Sequence, residues 1–260
     1  MIEMKGMIVL ITGVSAGIGA ACAKLFNANG AKLIGIARRK ERLVDLAKVL
    51  KGEDKVDYLL LECDIRDSEQ LKQMLENLPP EWKNVDILVN NAGLARGMEP
   101  FDRLAVDEID EVIDTNVRAL MKLSRYLLPT MIQRQKGHII NIGSIAGHEA
   151  YPGGSVYNTS KFAVRGFTEA LRMDLVKTPL RVTAIDPGMV ETEFSLTRFR
   201  GDSDKAKNVY KGLQALSPED VAESVYFAAS RPAHVSINEI ILMPVKQASA
   251  LVIHREIIDN

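Results

Sequence analysis

Tyr157 and Lys161 are four positions apart in a stretch that reads as one long helix, from about 154 to 176. A four-residue step brings two side chains onto the same helix face, so the phenol and the ammonium can approach one site together. A tyrosine ordinarily keeps its proton up to a pKa of about 10, and a cation within a few ångströms favours the phenolate. The pair therefore predicts a group that exchanges protons near neutral pH. A chance pairing on a solvated helix face would have the same spacing.

The elements that must position this pair are short apolar runs alternating with helical patterns along the whole chain. The runs lie at 7–11, 32–37, 56–62, 85–89, 137–142, 180–185 and 239–243. Their branched side chains suit strands that are buried on both faces. The alternation predicts an α/β fold of the Rossmann type, with a seven-stranded parallel sheet between two helical layers. We expect the helical pattern at 105–135 to break near Thr115 and Asn116 and again at Pro129.

Composition excludes several classes of protein. The chain has 260 residues, a 47% hydrophobic content and a net charge of −1, which fits one domain and gives no global attraction to nucleic acid or an anionic membrane. It has no membrane-length apolar run and no signal-peptide pattern at its start, so we expect a cytoplasmic protein. Cys22 and Cys63 suit buried thiols rather than a disulfide. We expect no metal site, because the histidines are widely spaced: His138, His148, His234 and His254.

A glycine-rich turn follows the first apolar run, with Gly13, Gly17 and Gly19 between a strand and a helix. This arrangement lets backbone approach a phosphate and points a helix N-terminus at it. The spacing, G-x-x-x-G-x-G, differs from the G-x-G-x-x-G dinucleotide fingerprint. A purely structural turn also explains the three glycines.

The second apolar run ends at Arg38 and Arg39. In dinucleotide sites of this architecture an acidic residue here bonds the ribose 2′-hydroxyl, whereas an arginine accommodates a 2′-phosphate. The arginines thus favour NADP, although a basic first turn of an exposed helix is the alternative. Asp64 follows the third run and can either accept a hydrogen bond from an adenine amino group or cap the turn.

Polar residues also follow the fourth and fifth runs. Asn90 and Asn91 lie at the carboxyl end of a predicted strand, where ligands bind in open α/β sheets, but they can equally bridge neighbouring backbone. Asn116 fits a capping or a functional role equally well. Ser144 follows the fifth run, 13 residues before Tyr157, so the loop between them can return its hydroxyl to the phenol.

In order and spacing, these motifs resemble the short-chain dehydrogenase/reductase family across nearly the whole chain. They are TGxxxGIG at 12–19, NNAG at 90–93, Asn116, Ser144, YxxxK at 157–161, and Pro187-Gly188 with Thr192. The resemblance implies that Tyr157 is the general acid/base, that Lys161 lowers its pKa and holds the nicotinamide ribose, and that Ser144 positions the substrate oxygen. It implies that Asn116 holds a water for proton relay.

The resemblance also implies a set of NADP contacts that begins at the glycine turn and ends after the sixth strand. It consists of Gly13, Ser15, Ala16, Gly17, Ile18, Gly19, Arg38, Arg39, Asp64, Ile65, Asn91, Ala92, Gly93, Tyr157, Lys161, Pro187, Gly188, Val190 and Thr192.

Within the family, the chain is similar to NADP-dependent 3-hydroxy acid dehydrogenases that oxidise serine and allo-threonine. The matching stretches are 93–94, 98–101, 138–144, 192–195, 198–199, 232–235 and 243–245. A carboxylate substrate needs a cation, and Arg198 is our candidate beside Ser144 and Tyr157, with Arg96, Arg200 and Arg255 also available. A carbonyl or 3-oxoacyl reductase of bulkier ketones would use the same catalytic residues. A non-catalytic NADP-binding regulator is disfavoured by the intact Ser144, Tyr157 and Lys161.

Two further segments extend this picture. Residues 189–212 are too long for an ordinary connection and are expected to form a lid over the site. Residues 244–260 form a C-terminal tail that we expect to reach a neighbouring subunit's site. The resemblance implies a homotetramer that packs through the Tyr157 helix and its neighbour.

Overall fold

The computed structural model describes residues 2–53 and 57–256. These residues form a seven-stranded sheet in which every pairing is parallel, with the order β3-β2-β1-β4-β5-β6-β7. The strands are β1 Ile8–Thr12, β2 Lys32–Ala37, β3 Tyr58–Glu62, β4 Ile87–Asn90, β5 His138–Ile142, β6 Arg181–Pro187 and β7 Glu239–Leu242. The predicted α/β fold is therefore confirmed, although Val56, at the start of the expected third strand, lies outside the described residues.

The helices cover both faces of the sheet. They are α1 Gly17–Ala28, α2 Lys40–Ala47, α3 Ser68–Glu76, α4 Val106–Ile113, α5 Ala119–Gln133, α6 Ser155–Asp174, α7 Phe194–Arg198, α8 Ser203–Asn208 and α9 Pro218–Ala229. One core packs Phe26 of α1 and Val225 of α9 against the sheet. The other packs Leu71 of α3, Leu123 of α5 and Leu171 of α6 against the opposite face. Burial of each such side chain stabilises the fold by about 1.5–3 kcal/mol.

The strand order creates a crevice at the carboxyl edge of the sheet. The chain runs outward from β1 to β3 on one side and, after crossing back, from β4 to β7 on the other. The helices after β1 and β4 consequently lie on opposite faces, and the loops that lead into them separate. Open α/β sheets bind ligands at this kind of switch point.

The helix through 105–135 differs in part from the prediction. The expected break near Asn116 is a π-helical turn, Asp114–Arg118, between α4 and α5. The break expected at Pro129 is wrong, since α5 continues through it to Gln133. Proline removes one backbone donor and crowds the preceding turn, but the apolar face of α5, packed on the sheet through Leu123 and Leu127, keeps the helix intact.

The two cysteines, the 189–212 segment and the C-terminal tail were also the subject of sequence-based expectations. Cys22 and Cys63 are free and buried, as predicted. Residues 189–212, the expected lid, contain the short helices α7 and α8. In the described ranges, no helix combines the length and the apolar character needed to cross a membrane. The last four residues of the tail, 257–260, lie outside the described residues.

Candidate active site

A cleft of about 670 Å³ lies along the carboxyl edge of the sheet. The structure brings nearly all the predicted site residues to its walls. They are Gly13, Ser15, Ala16, Gly17, Ile18, Arg38, Arg39, Asp64, Ile65, Asn91, Ala92, Gly93, Ser144, Tyr157, Lys161, Pro187, Gly188, Val190, Thr192 and Arg198. Gly19 and Asn116 do not line the cleft and instead support residues that do.

The glycine turn is packed too tightly for side chains. Gly13 has a φ of +76°, and a Cβ there would lie 2.8 Å from the Asn91 side-chain nitrogen. A Cβ on Gly19 would lie 2.4 Å from the carbonyl oxygen of Gly13. Asn91 ties this turn to β4, because its side-chain amide donates to the Thr12 carbonyl oxygen at 2.8 Å. The sequence therefore places bare backbone at the cleft wall.

The same turn fits a dinucleotide pyrophosphate. Helix α1 begins after Ala16, whose side chain cannot cap it, so no side chain occupies the position before its first-turn N–H groups. Free N–H groups at a helix N-terminus attract phosphate oxygens. Thr192 closes the opposite wall, 3.2 Å from where a Cβ on Gly17 would lie. The residues present thus suit the phosphates of NADP.

A basic corner lies at the end of β2. Arg39 donates to the Ser15 hydroxyl at 3.0 Å and to Glu193 at 2.9 Å, and Arg42 also donates to Glu193 at 2.8 Å. Arg38 is half-exposed and lies 3.9 Å from Asp64. The corner offers guanidinium and hydroxyl groups to an anion. Glu193 could not be predicted from the sequence, because only the fold brings it to Arg39.

Asp64 is engaged by its near neighbour Arg66. The Arg66 guanidinium donates to both carboxylate oxygens, at 3.0 and 2.6 Å, and the Arg66 backbone N–H donates at 3.1 Å. Partial burial opposes ionisation, but these hydrogen bonds hold the pKa of Asp64 below its usual value. The turn-capping alternative is therefore realised in the structure, while Asp64 still lines the cleft.

Tyr157 and Lys161 lie on α6 with both side chains in the cleft, as their spacing predicted. The Lys161 ammonium is 5.7 Å from the centroid of the Tyr157 ring and donates to the Ile142 carbonyl oxygen at 2.9 Å. The Ser144 hydroxyl lies close enough to the Tyr157 phenol to lower its pKa. The carboxyl end of β5 and the start of α6 thus bring together the Ser144 hydroxyl, the Tyr157 phenol and the Lys161 ammonium.

The electrostatics of this trio differ from the sequence-based expectation. Burial raises the pKa of Tyr157, and the groups that oppose burial are the Arg198 charge and the Ser144 hydrogen bond. Burial outweighs the charge of Arg198, and the expectation that Lys161 lowers this pKa stays a prediction. Burial also lowers the pKa of Lys161 to about 8, with Asp186 opposing the shift.

Asn116 supports the cleft from behind. Its side chain exchanges two 2.8 Å hydrogen bonds with the backbone of Leu94 and donates to the Ser160 hydroxyl at 3.0 Å. Gly93 lies between it and the ammonium, since a Cβ there would be 3.3 Å from Asn116 Oδ1 and 3.7 Å from Lys161 Nζ. The amide of Asn116 therefore already bonds protein groups, and its role in holding a relay water stays a prediction.

The structure distinguishes among the four candidate arginines. Arg96 forms a forked ion pair with Glu111 at 2.7 and 2.9 Å, and Arg200 pairs with Glu108. Arg255 donates to two backbone carbonyl oxygens, those of Lys211 and Val209. These three guanidinium groups are therefore committed to partners within the chain.

Arg198 is arranged differently. Its guanidinium lies 5.0 Å from the Tyr157 ring centroid and 5.4 Å from that of Phe194, and it donates to the Tyr151 hydroxyl at 2.7 Å. Its Nε is buried and has no hydrogen-bond partner among the described residues. An unpaired buried donor is costly, so this guanidinium, unlike the other three, is not fully paired within the chain. Tyr151 was not predicted, because no local motif includes it.

The described part of the tail lies against this chain's own cleft. Gln247 is buried and accepts a hydrogen bond from the Met189 N–H at 2.8 Å, and Ala250 donates to Glu149 at 2.8 Å. Leu251 and Arg255 also line the cleft. The tail up to residue 256 thus contributes to this chain's own cleft, and its expected reach to a neighbouring subunit's site stays a prediction.

This combination of a parallel sheet, glycine turn and Ser-Tyr-Lys cluster agrees with a family model. The model for the short chain dehydrogenases matches residues 7–202. The chain belongs to the short-chain dehydrogenase family.

Individual relatives match over nearly the full chain. NADP-dependent 3-hydroxy acid dehydrogenase of Escherichia coli K12 is 47% identical over 252 residues, covering 96% of this chain and all of that protein. Serine 3-dehydrogenase of Agrobacterium fabrum is 42% identical over 247 residues, covering 95% of this chain and 97% of that protein. A solved structure of the closed form of serine dehydrogenase with NADP⁺ superposes with a TM-score of 0.90 at 47% identity, covering 96% of this chain and 100% of the other.

Proposed function

We propose that the protein is an NADP-dependent dehydrogenase that oxidises small 3-hydroxy acids, such as serine or allo-threonine, at C3. The Arg198 guanidinium carries this proposal. It is a half-buried cation that lines the cleft beside Tyr157, so a substrate carboxylate can bind it while the hydroxyl reaches the phenol. Similarity to proteins named as 3-hydroxy acid and serine dehydrogenases supports the same substrate class.

The substrate hydroxyl meets Ser144 and Tyr157. The Ser144 hydroxyl orients the substrate oxygen, and Tyr157 takes its proton as the C–H bond at C3 breaks and the carbonyl forms. When bound, NADP⁺ would supply the hydride acceptor and a positive charge that favours the phenolate. The protein cations add to that charge, since Arg198 already favours the Tyr157 phenolate against burial. The product from serine, a 2-amino-3-oxo acid, then loses CO₂ in solution without further catalysis.

The remaining cleft residues hold the cofactor. Backbone N–H groups of the 13–19 turn receive the pyrophosphate, and Ser15, Arg38 and Arg39 receive the 2′-phosphate. Because Glu193 pairs with Arg39, the phosphate must share or displace this carboxylate. Lys161 would hold the nicotinamide ribose, and Thr192 the nicotinamide amide. The other predicted contacts line the same continuous wall.

The proposal also covers the domain organisation of the chain, its lid, its location and its assembly. The chain forms one domain, and residues 189–212 close over the substrate as a lid, since this segment contributes both Arg198 and Thr192. The protein works in the cytoplasm as a homotetramer. Exposed apolar side chains on the outer faces of α5 and α6, Met121, Tyr126, Phe162 and Met173, support subunit packing there. Light scattering after gel filtration tests this assembly, and a monomer would contradict it.

A substrate screen tests the function. NADP⁺ reduction is followed at 340 nm with L-serine, L-allo-threonine, 3-hydroxyisobutyrate and a bulky secondary alcohol, and each is repeated with NAD⁺. We expect turnover of the small acids with NADP⁺ and little with the uncharged alcohol. Turnover of the bulky alcohol alone would instead indicate a carbonyl reductase, and turnover of none would refute the proposal.

A further inference from the structure

A buried carboxylate lies directly beneath the Ser-Tyr-Lys cluster. Asp186, on β6, has 1% of its surface exposed. Its Oδ1 accepts the backbone N–H of Ser144 at 3.1 Å. A Cβ on Gly143 would lie 1.7 Å from the same oxygen, so only glycine allows the carboxylate to approach this backbone. The end of β5 is thus fixed to β6 through a charged side chain.

The second oxygen of Asp186 connects to the protein surface. Oδ2 lies 3.0 Å from Nε2 of His148, and the same nitrogen lies 3.7 Å from Glu239 on β7. Glu239 in turn pairs with Arg165 at 3.4 Å, one helical turn beyond Lys161 on α6. The groups that face Asp186 are therefore His148 and, through it, Glu239 on the outer side, with Lys161 and Tyr157 on the inner side.

The charge of Asp186 acts on both members of the pair. Burial lowers the pKa of Lys161, and Asp186 is the charge that opposes this shift. Asp186 also raises the pKa of Tyr157, although by less than burial does. Arg198 and Ser144 act in the opposite direction and lower it. Its own pKa is raised by burial and held down by His148. One carboxylate therefore favours the ammonium and disfavours the phenolate at the same time.

We infer that Asp186 is a positioning residue for the dehydrogenase reaction, which fixes the backbone of Ser144 and sets the charge balance of Tyr157 and Lys161, with His148 as its hydrogen-bond partner. This inference rests on the proposed function. No motif in the sequence indicates it, because Asp186, His148 and Ser144 meet only through the pairing of β5 with β6.

The three side chains also have a metal-like arrangement. Ligand atoms of His148, Asp186 and Glu239 lie within 4.8 Å of one another. Each, however, already has a protein partner, and the Arg165 guanidinium on Glu239 disfavours a further cation. We therefore assign the cluster to hydrogen bonding and charge rather than to a metal ion.

The Asp186→Asn variant removes the negative charge of Asp186 while it keeps the hydrogen bond to the Ser144 backbone. The amide oxygen can still accept the Ser144 N–H, and the amide nitrogen can donate to the other tautomer of His148, so the fold is expected to persist. Without the negative charge, the pKa values of Tyr157 and Lys161 both fall. We expect the acidic limb of kcat for alcohol oxidation and the basic limb for carbonyl reduction to move to lower pH by about one unit.

Two further variants complete this experiment. Asp186→Ala also removes the tie to Ser144, so it should lose a further 10-fold or so in kcat at every pH. Glu239→Gln removes a carboxylate of the same cluster that does not contact Ser144, and it should keep its kcat and its profile. Should Asp186→Asn not fold, His148→Phe is measured instead. Removing that donor lets the pKa of Asp186 rise, so the profile moves in the same direction by a smaller amount.

An activity-independent titration distinguishes this inference from the proposed function. Phenolate absorbance near 295 nm is followed against pH, and the curve of the Tyr157→Phe variant is subtracted to isolate Tyr157. A lower Tyr157 pKa in Asp186→Asn supports the inference, whichever substrate the enzyme uses. An unchanged Tyr157 titration together with unchanged pH limbs would overturn it, even if L-serine proves to be the substrate.

Discussion

The guanidinium of Arg198 lies 5.0 Å from the centroid of the Tyr157 ring. Under the proposed function, this proximity places a cation for the substrate carboxylate beside the phenol that would exchange the proton. Substrate selection and proton transfer are thereby assigned to two side chains in contact with each other.

Replacement of Arg198 by glutamine is expected to weaken binding of the acid substrate. Loss of a charge-assisted hydrogen bond costs about 1.5–3 kcal/mol, so KM for L-serine should rise roughly 10- to 100-fold. Arg200→Gln is the matched control, because Arg200 is only two positions away and pairs with Glu108 outside the cleft. Steady-state kinetics of both variants measure the difference. Equal KM values in Arg198→Gln and the wild type would exclude Arg198 as the carboxylate anchor.

Cofactor preference is expected to depend on Arg38. An aspartate there would repel the 2′-phosphate and accept a hydrogen bond from a 2′-hydroxyl, so Arg38→Asp should shift the ratio of Kd values toward NADH by about 10- to 100-fold. Lys40→Asp, an equal charge change on an exposed side chain outside the cleft, is the control. Titration of cofactor fluorescence gives both Kd values. An unaltered preference in Arg38→Asp would remove Arg38 from the 2′-phosphate site.

Carbonyl reduction is expected to decline as the pH rises through about 8. Burial lowers the pKa of Lys161 to about 8, so its side chain is a cation below that pH and neutral above it. Tyr157, whose pKa burial raises, keeps the proton that reduction requires over the same range. The measurement is kcat/KM for a small 3-oxo acid with NADPH between pH 6 and 10. A profile that stays level to pH 10 would show that the Lys161 charge is not needed.

Much of the architecture could be predicted from the sequence because it is encoded locally. The alternation of apolar runs and helical patterns predicted the strands. The four-residue step from Tyr157 to Lys161 predicted that these two side chains point to the same side of their helix. Pro129 was misjudged because helix breaking is a local tendency, whereas the packed face of α5 is a tertiary feature.

The ion-pair and hydrogen-bond partners of these side chains could not be predicted, because they are residues distant in the chain. Arg96, Arg198 and Arg200 are equivalent as sequence, and only contacts with Glu111 and Glu108 show that Arg96 and Arg200 are already engaged. The same applies to Asp186 and His148, which are 38 positions apart. The raised pKa of Tyr157 likewise follows from burial, which spacing alone does not reveal.

The most direct test of the account is removal of a single oxygen atom, that of the Tyr157 phenol. Single-turnover formation of NADPH from L-serine is measured in the wild type, in Tyr157→Phe and in the remote control Tyr226→Phe, with cofactor Kd determined for each. We predict a loss of at least about 100-fold in Tyr157→Phe with little change in Kd, and near wild-type rates in Tyr226→Phe. A Tyr157→Phe enzyme that forms NADPH at a rate close to the wild type would contradict the account.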